Sequence, residues 1–253
     1  MASDRPGWYV ISLRPQGGHE ALRAAAARHG AKLLALSPWK LQARDEDSAR
    51  ADLHAALACA KIVFTSPPAV RFAAALAPLQ RKHGQRWIAV GDGTTGALLR
   101  AGIDAVLTPA SSDSEGLLAL PELQSVRGQG IGLVTAPGGR GLLEPTLRER
   151  GADVRRADVY VRAPLALRAD AIAALQGLDA PACVLLSSGE ALAQTLAQLP
   201  EAAKRKLLQA KVVAAGERLA AQARDMGFGE VHVAEGPQPS QLARAAAKAM
   251  GRT

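Results

Sequence analysis

The chain has 253 residues, of which 48% are hydrophobic and only 3% aromatic, with a formal net charge of +8 and a sequence pI near 10.0. This length allows two domains of ordinary size. The hydrophobic residues are mainly Ala, Leu and Val, and this composition favours alternating helices and parallel strands over an aromatic-rich sandwich. No apolar run approaches the ~18 residues of a membrane span, and the start of the chain lacks a signal-peptide stretch, so we expect a cytoplasmic protein without a membrane partner.

The strand and helix signals alternate along the whole chain. Short apolar runs bounded by Gly, Pro, Ser or Thr predict buried parallel strands at 8–13, 62–65, 87–90, 105–108, 131–135, 182–186, 211–215 and 231–234. Helical patterns, several of them closed by glycine, fall at 18–29, 67–79, 94–101, 114–120, 139–150, 168–176, 189–197, 201–209, 217–226 and 239–250. This alternation predicts an α/β protein with doubly wound parallel sheets.

The sequence also contains a diverged internal repeat. Residues 10–18 return as 131–139, residues 62–66 as 184–188, and residues 89–91 as 214–216. The repeat is longer than the roughly 20 to 50 residues of a solenoid unit, so it indicates two similar lobes, with a ligand expected in the cleft between them.

The repeat alone does not decide which segments share a sheet. The runs 33–43 and 154–164 occupy equivalent places after Gly-Ala pairs, and each carries charge as well as apolar residues. If both are crossovers, the two ends of the chain make one lobe and the residues between make the other, with two linkers forming a hinge. Otherwise each copy folds by itself.

The basic residues are scattered over predicted helix faces, without an aromatic-studded basic stretch. Most are therefore explained as solvated helix faces, and we expect no nucleic-acid partner, although a small polyanion fits the charge. The histidines lack ligand-pair spacing, and Cys59 and Cys183 lack a metal or redox spacing. We expect no metal site and two buried thiols.

Hydroxyl pairs stand at two equivalent strand ends. Thr65-Ser66 and Ser187-Ser188 precede predicted helices, so their hydroxyls and the free N–H groups of the first turn can face an anion. Simple helix capping is the alternative, but the same chemistry at both strand ends favours a shared anionic ligand. The segment Gly138-Gly139-Arg140 predicts a further loop in which backbone approaches a ligand.

The segment from Gly91 to Gly96 matches a dinucleotide fingerprint in its letters and follows a predicted strand. The acid that should bind a ribose about 20 residues later is missing, and the second copy keeps only the first glycine. We therefore interpret the segment as a tight turn and a helix start with Thr94 or Thr95 near the cap, and expect no nicotinamide or flavin cofactor.

Several of these segments, in their order and spacing, resemble the uroporphyrinogen-III synthase family over nearly the whole chain. The segments are Leu13-Arg14-Pro15, the residues 63–70, Ala89-Val90-Gly91 with Thr94, the residues 114–118, Gly138-Gly139-Arg140, Val159-Tyr160-Val161-Arg162 and Ser187-Ser188. One departure is Leu219, which stands where many members have Thr. The resemblance implies two α/β lobes joined by a two-stranded linker, with residues 1–35 and 165–253 in the first lobe, 42–154 in the second, and linker strands at 36–41 and 155–164.

The resemblance also implies an enzyme of haem biosynthesis. Such an enzyme cyclises hydroxymethylbilane, a linear polycarboxylate tetrapyrrole, to uroporphyrinogen III, with inversion of the last ring, loss of water and no cofactor. Tyr160 would assist departure of the hydroxyl by hydrogen bonding, or else pack the hinge. The substrate-binding residues would be Arg14, Thr65, Ser66, Gly91, Thr94, Gly138, Gly139, Arg140, Ser187 and Ser188.

The resemblance leaves two further expectations. We expect a monomer that makes at most a transient contact with the enzyme supplying its substrate. The alternative from another class is a non-enzymatic intracellular two-lobed ligand-binding or sensor protein, because hinged α/β lobes also support that function.

Overall fold

The computed structural model describes residues 7–138 and 141–252. The strands in these ranges are β1 (Trp8–Ser12), β2 (Ala31–Ala35), β3 (Trp39–Ala43), β4 (Lys61–Phe64), β5 (Arg86–Ala89), β6 (Val106–Leu107), β7 (Gly130–Thr135), β8 (Asp153–Asp158), β9 (Tyr160–Pro164), β10 (Ala182–Leu186), β11 (Lys211–Ala214) and β12 (Val231–Val233). The helices are α1 (Glu20–Ala27), α2 (Asp47–Leu57), α3 (Pro67–Leu76), α4 (Asp92–Arg100), α5 (Ser114–Ala119), α6 (Pro121–Gln124), α7 (Leu143–Glu149), α8 (Ala169–Gln176), α9 (Gly189–Gln198), α10 (Glu201–Leu208), α11 (Glu217–Asp225) and α12 (Pro239–Ala249).

The strands form two five-stranded parallel sheets, which confirms the predicted fold class. One sheet has the order β12-β11-β10-β1-β2 and the other the order β6-β5-β4-β7-β8. The two orders correspond strand by strand to the internal repeat, because β1 takes the place of β7 and β10 the place of β4. Strands from both ends of the chain therefore share the first sheet.

The chain divides into two compact units, one of residues 1–41 with 163–253 and the other of residues 42–162. Strands β3 and β9 form a separate two-stranded sheet, and the chain passes from one unit to the other inside each of them. These strands differ in bounds from the expected linkers 36–41 and 155–164. In particular, residues 155–158 belong to β8, which pairs with β7 along its whole length.

The first unit has a core on each face of its sheet, because alternate side chains of the central strands point to opposite faces. Val184 and Val212 belong to a core that includes residues of α8, α9, α10 and α11. Cys183 and Val213 belong to a second core that includes residues of α1 and α12. Helices thus cover both faces of this sheet, as the prediction of a doubly wound sheet requires.

In the second unit, helix α2 packs on β7 and β8 at very short range. A Cβ on Gly132 of β7 would overlap the backbone carbonyl of Ala56 in α2. The buried residues of α2 are Ala49, Leu53 and Ala56, so a narrow helix face lies on a strand that has no side chain at the point of contact.

The sequence interpretation missed some elements. It left open whether 33–43 and 154–164 are crossovers and did not identify the sheet strands β2 and β8, although residues 33–35 lie in β2 and residues 154–158 in β8. Both are the last strands of their sheets, and exposed or half-exposed residues dominate their burial patterns, so they lack a continuous apolar signal. Helices α2 and α6 were also not predicted, since the buried face of α2 is largely alanine.

Both cysteines are free and buried, as expected, and burial raises the pKa of the Cys183 thiol to about 12. Among the described residues, no helix has the length and apolar character needed to cross a membrane. Within the same ranges, no three His, Cys, Asp or Glu side chains are grouped as a metal site requires.

A buried histidine connects the loop after β1 to the end of β2. His19 Nδ1 lies 2.9 Å from Ser12 Oγ and its Nε2 lies 2.8 Å from Ser37 Oγ. Burial, followed by the nearby charges of Arg23 and Arg14, lowers the pKa of His19, although Glu20 acts in the opposite direction. The native state therefore favours the neutral imidazole, which can bridge the two hydroxyls as donor and acceptor.

We predict that Gly132→Ala destabilises the protein, because the new methyl group forces α2 away from β7. Overpacking of this kind costs about 1–3 kcal/mol. The matched control is Gly130→Ala on the same strand, where the new Cβ would lie 3.4 Å from Cys59 Sγ, at the short end of ordinary contact. Urea unfolding should place the control within about 1 kcal/mol of wild type. Equal stabilities for the two variants would contradict the close packing of α2.

We predict that His19 makes the stability depend on pH below neutrality. Its folded pKa is lowered, so the unfolded chain, with a pKa of about 6.5, binds more protons in this window. The contribution of His19 is therefore complete above that unfolded pKa and is lost as pH falls towards the folded pKa. Between pH 7.5 and 5.5, His19→Gln should lose less unfolding free energy than wild type.

The same variant should already be less stable than wild type at pH 7.5, by about 1–3 kcal/mol, because it disrupts the buried hydrogen bonds of the imidazole. His83→Gln is the control, since His83 is exposed. Parallel pH curves for wild type and His19→Gln would refute the assignment.

Candidate active site

Hydroxyl groups meet at the carboxyl edge of the second sheet. Strand β4 pairs in parallel with β7, so the residues that follow β4 lie beside the end of β7. Thr65 Oγ1 donates a 2.7 Å hydrogen bond to Thr135 Oγ1. The structure thus places the predicted residue Thr65 beside a threonine that the sequence interpretation did not select.

Ser66 is both a helix cap and a neighbour of the tyrosine. Its Oγ accepts a hydrogen bond from the backbone N–H of Ala69 at 3.1 Å, which caps α3, and lies 3.2 Å from Tyr160 Oη. The first two residues of α3 are Pro67 and Pro68, which have no N–H to donate. The expectation of free N–H groups at the start of this helix is therefore wrong, and hydroxyls are the polar groups that remain there.

Tyr160 is held from two sides. Its side chain is largely buried, with 5% of the residue exposed, and its ring stacks on Phe72 with centroids 5.2 Å apart. The phenol reaches Ser66, so the ring packs while its polar end stays among hydroxyl groups. Tyr160 begins β9, the strand that leaves the second unit.

These groups line a cavity of about 530 Å³ that lies within residues 42–162. Its wall combines the strand-end hydroxyls, the phenol, the loop after β7, the start of α7 and three arginines. The lining residues include Thr65, Ser66, Thr135, Ala136, Gly138, Glu144, Arg148, Arg156, Tyr160 and Arg162. Polar hydrogen-bonding groups of this kind can fix the orientation of a ligand.

The glycine loop borders the same cavity. Gly138 has a φ of 88°, in the left-handed region that favours glycine, and a Cβ there would lie 3.4 Å from Arg162 Nη1. A side chain at this position would therefore crowd a guanidinium of the cavity wall. Gly139 and Arg140, which the sequence interpretation also assigned to this site, lie outside the described residues.

Charged side chains form one wall of the cavity. Glu144 accepts hydrogen bonds from Arg148 at 2.9 Å and from Arg156 at 3.0 Å, and these bonds lower the pKa of its carboxyl group. The hydrogen bonds from Arg156 to Asp158 are the main cause of the raised pKa of that guanidinium. The sequence interpretation did not select Glu144, Arg148 or Arg156, although the charged residues two positions apart on β8 are visible in the sequence.

Gly91 and Thr94 lie elsewhere on the second unit. Gly91 precedes α4 and has extended backbone, and a Cβ at this position would overlap Ser112. Thr94 is 1% exposed, and neither residue is among those that line the cavity. Thr95 Oγ1 donates to the Gly91 carbonyl at 3.3 Å, which agrees with a turn and helix start.

The remaining predicted residues belong to the first unit, at the carboxyl ends of the adjacent strands β1 and β10. Ser188 caps α9 by accepting from the N–H of Ala191 at 3.3 Å, and Ser187 is exposed. The first two residues of α9 are Gly189 and Glu190, so this helix, unlike α3, keeps N–H groups at its start.

Arg14 follows β1 and is a half-buried cation. Burial lowers the pKa of its guanidinium. No acidic partner is recorded for it among the residues that the structure describes. A partly buried charge without an acidic partner costs free energy unless an anion binds beside it.

Several known proteins similar to this chain carry the same name. The family model described as uroporphyrinogen-III synthase HemD matches residues 20–244. A uroporphyrinogen-III synthase of Salmonella typhimurium is 31% identical over 245 residues, covering 93% of this chain and 98% of that protein. The Escherichia coli uroporphyrinogen-III synthase is 32% identical over 201 residues, covering 77% and 82%.

Solved structures agree in fold. The uroporphyrinogen III synthase of Thermus thermophilus, in a mutant form, is similar with a TM-score of 0.62 and 21% identity, covering 97% of this chain and 99% of that chain. The enzyme of Helicobacter pylori gives a TM-score of 0.62 with 15% identity, covering 95% and 99%. These findings do not favour the non-enzymatic alternative. The chain belongs to the uroporphyrinogen-III synthase family, as the match over residues 20–244 and the relatives more than 30% identical show.

Proposed function

We propose that this protein converts hydroxymethylbilane, a linear polycarboxylate tetrapyrrole, to uroporphyrinogen III. The ring closes with inversion of the last pyrrole and loss of water. The observation that carries the proposal is the family match over residues 20–244. The cavity in residues 42–162 supports it, since hydroxyls and a phenol can position a leaving hydroxyl and a reactive chain end.

We assign Tyr160 to the departure of the hydroxyl. Ser66 Oγ accepts from the N–H of Ala69 and still has a hydrogen of its own, which it can donate to the phenol oxygen. In that arrangement the phenol O–H can donate its hydrogen to the substrate. The leaving hydroxyl then accepts it and departs as water. Loss of the pyrrole N–H proton gives a neutral azafulvene and restores the phenol, and the azafulvene is attacked at a substituted carbon of the last pyrrole.

We assign Arg14 and the start of α9 to substrate carboxylates. The guanidinium brings a half-buried positive charge, and the helix start brings N–H groups and the positive end of the helix dipole. The acids of the wall around Glu144 are already paired with arginines, so that wall adds little net charge. The substrate anions would thus be held chiefly by residues that have no acidic partner.

We further propose that the protein acts in the cytoplasm as a monomer, as the family resemblance implies. Its substrate would pass to it in a transient contact with the enzyme that makes hydroxymethylbilane. Light scattering of the purified protein, alone and with that enzyme, tests the monomeric state and the contact.

The activity is tested by a coupled assay that generates hydroxymethylbilane and separates the type I and type III products after oxidation. Spontaneous closure gives the uninverted type I isomer, so type III measures the enzyme. Wild-type protein should yield mainly type III. Type I alone would reject the proposed function.

We predict that Tyr160→Phe slows type III formation by roughly 10- to 100-fold, at or somewhat below the span of acid–base groups. The ring and its stacking on Phe72 remain, so the melting temperature should stay close to that of wild type. Spontaneous closure then competes, and the type I share rises. The chain has one other tyrosine, Tyr9 in β1, and Tyr9→Phe is the matched control. A wild-type rate and isomer ratio in Tyr160→Phe would exclude the role.

We predict that Arg14→Gln weakens substrate binding without destabilising the protein. Loss of a charged hydrogen-bond partner should raise KM by roughly 10-fold, and high salt should shrink the difference from wild type. Because the guanidinium is half-buried without an acidic partner, its removal should leave the melting temperature unchanged or raised. Arg28→Gln, at the exposed end of α1, makes the same change in net charge and serves as control. Equal KM values for the two variants would contradict the assignment.

A further inference from the structure

One wall of the cavity is built by an ion network of four side chains, Asp158, Arg156, Glu144 and Arg148. Arg156 donates to Asp158 at 2.9 Å and to Glu144 at 3.0 Å, and Arg148 donates to Glu144 at 2.9 Å. Two cations and two anions alternate, so the network is electrically balanced. It joins β8 to α7.

Arg156 is the centre of this network. Its Nε donates to Asp158, its Nη1 to Glu144, and its Nη2 both to Asp158 and to the Ala136 carbonyl, the last at 3.2 Å. Every nitrogen of the guanidinium is thus engaged with an oxygen of the protein. Such a guanidinium is poorly suited to take up a substrate carboxylate, although it borders the cavity.

The contact with Ala136 gives Arg156 a different role. Ala136 is the first residue after β7, and its backbone begins the loop that leads to Gly138. Residues 136–138 and Glu144 all line the cavity. Arg156 therefore fixes the start of this loop and the first turn of α7 to the same strand, which sets the shape of that side of the cavity.

The first unit has a comparable connection at the equivalent place. The register pairs Val10 with Leu33 in one sheet and Ile131 with Val154 in the other, so Ser37 is equivalent to Asp158. Ser37 is bound to His19, which also reaches Ser12 at the end of β1. Both units thus connect the loop after the first strand of the repeat to the adjacent outer strand, one with neutral groups and the other with charged groups.

We propose that Arg156 is a positioning residue for ring closure, acting through the loop after β7 on the choice between the type III and type I isomers. This inference rests on the proposed function. Inversion of the last pyrrole requires that the reacting end of the chain be held in one geometry, and a misplacement of about 1 Å can cost about 100-fold in rate. Arg156 itself neither binds the substrate nor transfers a proton to it.

The experiment compares Arg156→Gln and Arg156→Lys with Arg155→Gln. Arg155 is the next residue on β8, pairs with Asp153 at 2.6 Å, and is not among the residues that line the cavity, so it controls for loss of a charge on this strand. Each variant is assayed for kcat, KM and the type III to type I ratio. Hydrogen exchange of the Ala136 and Gly138 amides is measured on the protein without substrate.

Both Arg156 variants should lose kcat for type III by roughly 10-fold or more and raise the type I share, with KM changed by less than about 3-fold. Exchange of the Ala136 and Gly138 amides should speed up by about 10-fold, because the hydrogen bond from Arg156 to the Ala136 carbonyl no longer holds the start of the loop. Lysine should not rescue the activity, because it cannot reproduce the planar fork. Arg155→Gln should behave as wild type in every measurement.

A wild-type isomer ratio in Arg156→Gln would overturn the proposal. A change confined to KM would also overturn it, since this would indicate direct binding of substrate. If Arg156→Gln does not fold, Glu144→Gln is the deciding variant, because it keeps the bonds from Arg156 to Asp158 and Ala136. An unchanged isomer ratio in Glu144→Gln counts against the positioning role, and a shifted ratio supports it. Failure of the proposed function is distinct, since wild-type protein itself would then form no type III.

Discussion

The parallel pairing of β4 with β7 is the constraint on which the candidate site depends. Because the two strands run in the same direction, they finish side by side, and Thr65 can bond to Thr135 across the edge of the sheet. Ser66 then caps α3 from the same edge and reaches Tyr160. The pairing of β10 with β1 does the same in the first unit for Ser188 and Arg14. Each unit therefore collects polar groups at one end of its sheet.

The central strands could be predicted because they are buried on both faces and read as continuous apolar runs. The run 182–186 coincides with β10, whose last four residues are buried. Strands β2 and β8 end their sheets and mix exposed with buried residues, so their membership depends on pairing that no local signal reveals. Helix α2 was not predicted for a related reason. Its buried face is largely alanine, which is a weak hydrophobic signal, and the face packs closely because β7 has a glycine at the contact.

The site could be predicted only for residues whose side-chain chemistry and position in a recognisable segment both indicate a functional role. Thr65, Ser66 and Tyr160 stand in recognisable segments, and the structure brings them to one cavity. Thr135 could not be found without knowing that β7 lies beside β4, and Arg156 could not be linked to Glu144 without the packing of α7 on β8. Pro67 and Pro68 are different, because their missing N–H groups are written in the sequence and already argue against an amide-lined site at α3.

Residues 42–162 are an insertion in the first unit, entered and left through the paired strands β3 and β9. This connectivity sets an order for folding during synthesis. All strands of the inserted sheet have been made before β10 exists, so that sheet can be completed first. Strands β1 and β2 meanwhile have only each other, and the other edge of β1, with the apolar residues Val10 and Ile11, stays open until β10 emerges. The nascent chain thus carries an unprotected strand edge for the time needed to translate the inserted unit, and this interval is when it is most exposed to aggregation.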